Sequence, residues 1–197
     1  MSTDSDIIAR SIIDPNAFGE LYLRHASVVH RYSWRRAGES VAEDVTADTF
    51  LAAFQSRHRF DLDIQDAKPW LLGIATRLLH NHRRSEVRRF RTLAKAAESE
   101  VVDDPTTRSA ERIDAVATAN SAVRALRMMP AIDRDCLLLH VQGELTYDDI
   151  SIAMGIPIGT VRSRLNRARG KLRRAIATSD TETEADYGRA DAFPHNA

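Results

Sequence analysis

The stretch "GELTYDDISIAMGIPIGTVRSRLNRARGKLRRAI", residues 143–176, decides the fold of the C-terminal part of this chain. Thr146 is a favourable helix N-cap, and Asp149 three residues later completes an approximate capping box. Gly155 suits the left-handed end of that helix, and Pro157 prevents its continuation. A second helix follows the turn at once. The pattern therefore predicts a helix-turn-helix unit, a motif whose second helix lies in the major groove of DNA.

The second helix of this unit has one apolar stripe and a strongly cationic remainder. The stripe consists of Val161, Leu165, Ala168, Leu172 and Ile176. At about 100° per residue, Arg162 lies on one flank, and the residues that point farthest outward are Ser163, Asn166, Arg167 and Gly170. Residues near the helix start are expected to contact base edges, and phosphates are expected to bind the later cations Arg169, Arg173 and Arg174. A solvated basic face on a structural helix is the alternative, and the preceding helix and turn disfavour it.

Composition and charge describe a chain with a basic C-terminal module and no membrane span. The 197 residues are 43% hydrophobic, and the one cysteine, Cys136, permits neither an intrachain disulfide nor a thiolate metal cluster. Lys+Arg and Asp+Glu balance at 28 each, but residues 120–177 hold 10 cations against 5 acids, and residues 178–197 hold 1 against 5. This separation favours an anionic partner for the module. No stretch approaches the roughly 18 apolar residues that a membrane span needs, so we expect a cytoplasmic protein.

Helical periodicity recurs along the chain, and we predict an all-α fold. Asp14-Pro15 begins one amphipathic helix, a second runs from about residue 41 to 57, and Pro69 begins a third that becomes basic at its far end. No segment alternates with period two for more than a few residues, which disfavours strands. We predict a first helical domain at residues 1–90 and a second at residues 120–178. An Ala-, Glu- and Asp-rich linker at residues 91–119 joins them, and a disordered acidic tail follows at residues 179–197.

The block from Leu126 to Leu172 resembles region 4 of extracytoplasmic-function sigma factors, the RNA polymerase subunits that select promoters. The matching pieces are Met129-Pro130, Gly143 to Ile150, and Gly155 to Arg169. In that family the module binds the upstream (minus-35) promoter element. The resemblance implies that this element is contacted by Arg162, Ser163, Arg164, Asn166 and Arg167.

The first domain is similar to region 2 of the same family. "FGELYLRH" (18–25) looks like its start, and "AEDVTADTF" (42–50) looks like the subregion that docks on the polymerase clamp coiled coil. Many members carry Gln where this chain has Ala47. The resemblance implies polymerase contacts from Glu43, Asp44, Asp48 and Phe50. Without the resemblance to the family, the preferred interpretation of this acidic helix is a solvated surface.

"PWLLGIATRLLHNHRR" (69–84) looks like the family's helix that recognises and opens the downstream (minus-10) element. Strand opening requires polar and stacking groups for the flipped bases and cations for the freed backbone. The candidates on one polar face are Arg77, His80, Asn81 and Arg84, with the loop from Phe60 to Lys68 as a specificity element. Trp70 can stack on a base, but its place at the start of an amphipathic helix favours the core.

The resemblance implies a sigma factor that binds core RNA polymerase and promoter DNA, with no catalysis, cofactor or metal site of its own and with an anti-sigma factor as a further partner. A helix-turn-helix regulator that acts without being a polymerase subunit is the alternative. An enzyme is less favoured, because no His-Glu-x-x-His, Gly-rich phosphate loop or nucleophile elbow is present. Loop carboxylates and a basic helix end account for the acids and histidines of such a site, Asp61, Asp63, Asp66, His80 and His82.

Overall fold

The computed structural model describes the backbone of residues 2–96 and 121–190 and the side chains of residues 2–85 and 121–177. Short 3-10 turns occupy Pro15–Ala17 and Arg57–Arg59. The helices are α1 (Asp4–Ile13), α2 (Phe18–Ala37), α3 (Glu39–Ser56), α4 (Lys68–Ala96), α5 (described at 121–128), α6 (Ala131–Val141), α7 (Tyr147–Met154) and α8 (Ile158–Ala190). The described backbone contains no strand, and the prediction of an all-α fold is confirmed.

Helix α1 is an element that the sequence pattern did not predict. Thr3 caps it: the Asp6 N–H donates to Thr3 Oγ1 at 3.2 Å, and the Thr3 N–H donates to Asp6 Oδ2 at 2.9 Å. Its apolar residues Ile7 and Ile8 are both completely buried. Two buried isoleucines are too few to give a visible period, so the Thr-x-x-Asp capping box was the available signal.

A buried carboxylate joins α1 to the rest of the N-terminal helices. Asp4 is 6% exposed. Its Oδ1 accepts from Arg24 Nη1 at 3.0 Å, and its Oδ2 accepts from the Ala67 N–H at 2.9 Å and faces His25 Nε2 at 2.6 Å. Burial by itself raises the pKa of this carboxyl, but the hydrogen bonds from Ala67, His25 and Arg24 outweigh burial and leave the pKa below its ordinary value. Asp4 thereby ties the chain start to α2 and to the segment before α4.

Helices α2, α3 and α4 form the main core of the N-terminal part. The rings of Phe18 and Phe54 meet edge to face at 5.3 Å. The Tyr32 hydroxyl is hydrogen-bonded to Thr76 Oγ1 at 2.7 Å, and Arg36 Nη1 donates to the same hydroxyl at 2.6 Å. Because these polar groups are paired, the tyrosine is buried without leaving a hydrogen-bonding group unsatisfied.

The chain divides into two compact units, Met1–Ser99 with Leu138–Val161, and Glu100–Leu137 with Arg162–Ala197. Within the first unit, α4 passes so close to α7 that a Cβ on Gly73 would lie 2.3 Å from the Ala153 carbonyl oxygen. No side chain fits there. Glycine at this position allows the two helices to approach.

Two helices extend beyond the predicted domain limits. Helix α4 continues to Ala96, past the predicted domain end at residue 90. Helix α8 continues to Ala190, past the predicted domain end at residue 178. The structure does not describe residues 97–119 of the predicted linker or residues 191–197 of the predicted tail.

Candidate nucleic-acid interface

The turn between α7 and α8 is fixed by local hydrogen bonds. At the start of α7 the predicted capping box is confirmed: the Asp149 N–H donates to Thr146 Oγ1 at 3.2 Å, and the Thr146 N–H donates to Asp149 Oδ2 at 3.0 Å. At its end Gly155 is left-handed, with φ 63°. The Ile156 N–H donates to the Ser151 carbonyl at 3.2 Å, and Ser151 Oγ donates to the Ile156 carbonyl at 2.6 Å. These bonds fix the point at which α8 begins.

Helix α8 buries one stripe and exposes most of its cations. Val161, Leu165 and Ala168 are each completely buried, as the apolar period predicts. Four of the five residues implied to contact the upstream element are exposed, namely Arg162, Ser163, Asn166 and Arg167. Below them Arg173 and Arg174 are also exposed. The early turns of α8 thus present a polar, cationic surface.

Arg164 is the exception among these residues. Its Nη1 donates to Asp133 Oδ1 at 3.1 Å, and its side chain is 29% exposed. Position 164 is three residues after Val161 and next to Leu165, so it borders the buried stripe and lies over α6. One group of this guanidinium is bound to a carboxylate of this chain, and a contact of Arg164 with DNA stays a prediction.

The helix implied to contact the downstream element borders an open cavity of about 470 Å³ between α3 and α4, with a mixed polar and apolar lining. Its apolar lining comes from Ala52, Ile74 and Leu78. Its polar lining comes from Gln55, Ser56, His58, Arg59, Arg77 and Asn81. The volume is within the range of small-ligand pockets, and amide, imidazole and guanidinium groups converge on it.

The structure brings together two of the four predicted downstream contacts. Arg77 and Asn81 are exposed, one turn apart, and line the cavity. His80 and Arg84 lie on the same helix but are not among the described residues that line it. The sequence analysis did not predict four polar residues of the lining, whose only signal was their place at and after the end of α3: Gln55, Ser56, His58 and Arg59.

Trp70 supports the core interpretation. Its ring lies 4.9 Å from the ring of Phe60, with a tilt of 55° between the planes, and its side chain is half-buried. Phe60 itself is 8% exposed. The aromatic pair therefore packs the start of the loop from Phe60 to Lys68, the predicted specificity element, against the start of α4.

Helix α3 presents an acidic face with an apolar patch. Glu43, Asp44 and Asp48 are exposed, as the polymerase-docking interpretation requires, and Leu51 on the same face is 55% exposed. Phe50 differs. It is 6% exposed, and its ring packs edge to face on Tyr22 at 4.8 Å. This ring packs the helix that carries the acids, and a polymerase contact from Phe50 stays a prediction.

One group of potential metal ligands occurs among the described side chains. Asp4, His25 and Asp66 each place one ligand atom within 4.8 Å of the others. Both oxygens of Asp4 already accept hydrogen bonds, and the Arg24 guanidinium adds a positive charge beside them. This cluster is accounted for as the ion-pair network that holds α1. No helix in the described part of the chain is long and apolar enough to cross a membrane.

The fold and the two polar surfaces define an all-helical DNA-binding protein with a C-terminal helix-turn-helix. Comparison with known families gives the same class: residues 21–89 match the model for Sigma-70 region 2, and residues 119–172 match the model for Sigma-70, region 4. The chain belongs to the extracytoplasmic-function subfamily of sigma-70 factors.

Individual relatives agree with this assignment. The chain is 34% identical to the ECF RNA polymerase sigma factor SigC of Mycobacterium tuberculosis over 132 residues, 66% of this chain and 68% of SigC. It is 30% identical to SigE of Mycolicibacterium smegmatis over 172 residues, 85% of this chain but 64% of SigE, so it spans less than two thirds of that relative. The fold is similar to that of CnrH in complex with the cytosolic domain of CnrY, with a TM-score of 0.59 and 21% identity over 89% of this chain and 97% of CnrH.

Proposed function

We propose that the chain binds core RNA polymerase in the bacterial cytoplasm and directs it to specific promoters, with all catalysis carried out by the polymerase. One observation carries this proposal: the chain has both a cationic helix-turn-helix and, on a different helix pair, an open cavity of mixed lining that is edged by exposed cations. A regulator that binds duplex DNA needs only the first of these. A protein that also opens the duplex needs a place for an unpaired base.

The exposed residues at the start of α8 are proposed to bind the upstream element. An arginine that forms two hydrogen bonds with guanine contributes about 1–3 kcal/mol of discrimination against other bases. Arg162 and Arg167 are the exposed arginines in the first turns and are assigned this role. Arg173 and Arg174, farther along, are assigned to phosphates, which supply affinity without sequence preference.

The cavity between α3 and α4 is proposed to accept a base flipped out of the downstream element. Asn81 and Gln55 each carry an amide with both donor and acceptor groups, which suits the Watson–Crick edge of a base. Arg77 and Arg59 lie at the same cavity and are assigned to the freed backbone. His80 and Arg84 are retained as further candidates for the backbone on the same helix.

The acidic face of α3 is proposed to dock on the polymerase. Asp44, Asp48 and Leu51 combine exposed negative charge with an apolar centre, the composition expected where a charged rim surrounds a hydrophobic contact. We also propose that an anti-sigma protein controls this chain, which the similarly folded sigma factor RpoE of Bartonella quintana, crystallised with the anti-sigma factor NepR, supports.

The test is transcription with purified core polymerase on a library of genomic promoters, with the start sites mapped. Specific initiation that depends on this chain supports the proposal, and sequence-specific duplex binding without any effect on the polymerase supports the regulator instead. Asp48→Lys is expected to lower core affinity about tenfold or more, because like charges that face each other at an interface cost several kcal/mol. Asp63→Lys, an equal charge reversal in the exposed loop after α3, is the control and is expected to leave core affinity unchanged.

A further inference from the structure

A single buried carboxylate on α6 faces two arginines of α8. The Asp133 side chain is 4% exposed. Its Oδ1 accepts from Arg164 Nη1 at 3.1 Å, and its Oδ2 lies 3.8 Å from Arg167 Nε. The two arginines are three residues apart and therefore occupy neighbouring positions on one side of the helix. One oxygen is thus directed to each arginine.

The carboxylate is itself held in place. The Asp133 N–H donates to the Pro130 carbonyl at 3.0 Å, and the residue lies in the first turn of α6, where the helix dipole stabilises a negative charge. On the other side, Arg164 Nε is buried and has no acceptor among the described residues. The alignment of Arg164 therefore depends on the bond to Asp133.

Arg167 has a different exposure from Arg164. Its side chain is 54% exposed, so its Nε lies toward Asp133 while the rest of the group remains open to solvent. A guanidinium is a planar fork, and an ion pair at one edge favours orientations in which the other edge points away from the carboxylate. An arginine held in this way loses less freedom when it binds a base than one that rotates freely.

We propose that Asp133 is a positioning residue for promoter selection: it fixes α8 through Arg164 and directs the guanidinium of Arg167 toward the base that this side chain contacts. The inference rests on the proposed function of α8. It adds that selectivity depends on a residue that is too buried to touch DNA.

The charge of Asp133 also has an opposite effect on affinity. A carboxylate beside two arginines reduces the positive field that attracts phosphates. Its removal is therefore expected to increase binding to unrelated DNA while it decreases selectivity. Loss of folding would lower both the binding to unrelated DNA and the selectivity. An increase in the first together with a decrease in the second therefore identifies a positioning role.

The experiment compares the wild-type full chain with Asp133→Asn, which keeps the shape and removes the charge. Asp148→Asn is the matched control, because Asp148 is an exposed acid in the first turn of α7. Nuclear magnetic resonance of the arginine Nε–H groups reports the order of Arg164 and Arg167 without DNA. Holoenzyme binding is then measured on duplexes that contain a mapped upstream element and on the same duplexes with that element permuted.

We expect Asp133→Asn to lower the order of the Arg164 and Arg167 side chains, to reduce selectivity for the element about fivefold or more, and to bind permuted DNA at least as well as wild type. Asp148→Asn should keep that order and the selectivity. In an Arg167→Ala background, Asp133→Asn should lower selectivity much less, because its effect passes through Arg167. Equal losses in both backgrounds, or unchanged arginine signals in Asp133→Asn, overturn the proposal.

Asp133→Glu covers the case in which Asp133→Asn does not fold. It keeps the charge but displaces it by one methylene, so selectivity should fall without a gain in binding to permuted DNA. Selectivity equal to wild type in that variant, with shifted arginine signals, also overturns the positioning role. A wild-type chain with ordered arginines and no promoter selectivity refutes the proposed function instead, and the two failures are therefore distinguishable.

Discussion

Replacement of Asp4 by Asn is expected to destabilise the N-terminal helices by about 2–4 kcal/mol. The carboxylate accepts from one backbone N–H and from Arg24, and it faces His25 at 2.6 Å. A hydrogen bond to a charged group contributes about 1.5–3 kcal/mol, and a buried donor left without an acceptor costs about 1–3 kcal/mol. The Arg24 side chain is 33% exposed, so water can hydrogen-bond to it in the variant. The expected destabilisation is therefore smaller than the sum of these contributions.

Asn has the volume of Asp, so the change isolates charge and acceptor capacity. Its amide NH2 must face one of the donors that now surround Asp4, which leaves at least one of them unpaired. Urea unfolding at neutral pH measures the free energy of unfolding, and Asp44→Asn on the exposed face of α3 is the control, with an expected change within about 0.5 kcal/mol. A loss smaller than about 1 kcal/mol in Asp4→Asn would refute the assignment of Asp4 as the tie between α1, α2 and α4.

The pH dependence provides a second check on the same residue. The pKa of Asp4 is lower in the folded chain than its ordinary value of 3.8, so the unfolded chain binds more protons than the folded chain in acid. The contribution of Asp4 to stability is therefore complete above the ordinary value and is lost as the pH falls through it toward the folded pKa. The difference in unfolding free energy between wild type and Asp4→Asn should narrow as the solution is acidified below about pH 4. A difference that stays constant down to the acid limit contradicts the lowered pKa.

Three further predictions concern other parts of the chain. Gly73→Ala should cost about 1–3 kcal/mol of stability, because its Cβ would meet the Ala153 carbonyl oxygen at 2.3 Å, whereas Gly19→Ala, with no atom within 4 Å of the new Cβ, should be neutral or slightly stabilising. Burial, and then the charges of neighbouring acids, raise the pKa of the Cys136 thiol to about 11, and the residue is completely buried, so maleimide labelling of the folded chain at pH 8 should be at least about 100-fold slower than that of an exposed cysteine and should become fast on unfolding. Arg167→Ala should reduce promoter selectivity and leave the slope of log affinity against log salt nearly unchanged, because the side chain is proposed to contact a base. A fall of about 1 in the magnitude of that slope would show instead that Arg167 neutralises a phosphate.

Local signals in the sequence predicted the helix-turn-helix well. The Thr146 cap, the left-handed Gly155 and the buried stripe of α8 are each determined within a few residues, and the structure has all three. Helix α1 was missed because its stability comes from contacts far along the chain. Asp4 is bonded to the Ala67 N–H, 63 positions away. No local pattern reports such a bond.

The candidate site was predicted only where one helix supplies it. Arg77 and Asn81 follow from the period of α4, but Gln55 and His58 reach the same cavity from α3 and the turn after it. Their convergence depends on how the helices pack. The surroundings of Phe50 and Arg164 depend on packing in the same way. A family motif gives only the residue type. The exposure of Phe50 depends on its packing against Tyr22, and that of Arg164 depends on its bond to Asp133.

Burial also changes the meaning of the charge count. Residues 120–177 hold 10 cations against 5 acids, which suggests a moderately basic module. Two of those acids, Asp133 and Asp135, are only 3% and 5% exposed, and one of them is bonded to Arg164. A buried carboxylate cannot occupy the outer edges of the exposed arginines of α8, so these edges stay open to phosphate, although the charge of Asp133 still lowers the local field. The formal neutrality of the chain is therefore compatible with strong, salt-sensitive binding to DNA, because the placement of the acids and not their number sets the field at the contact surface.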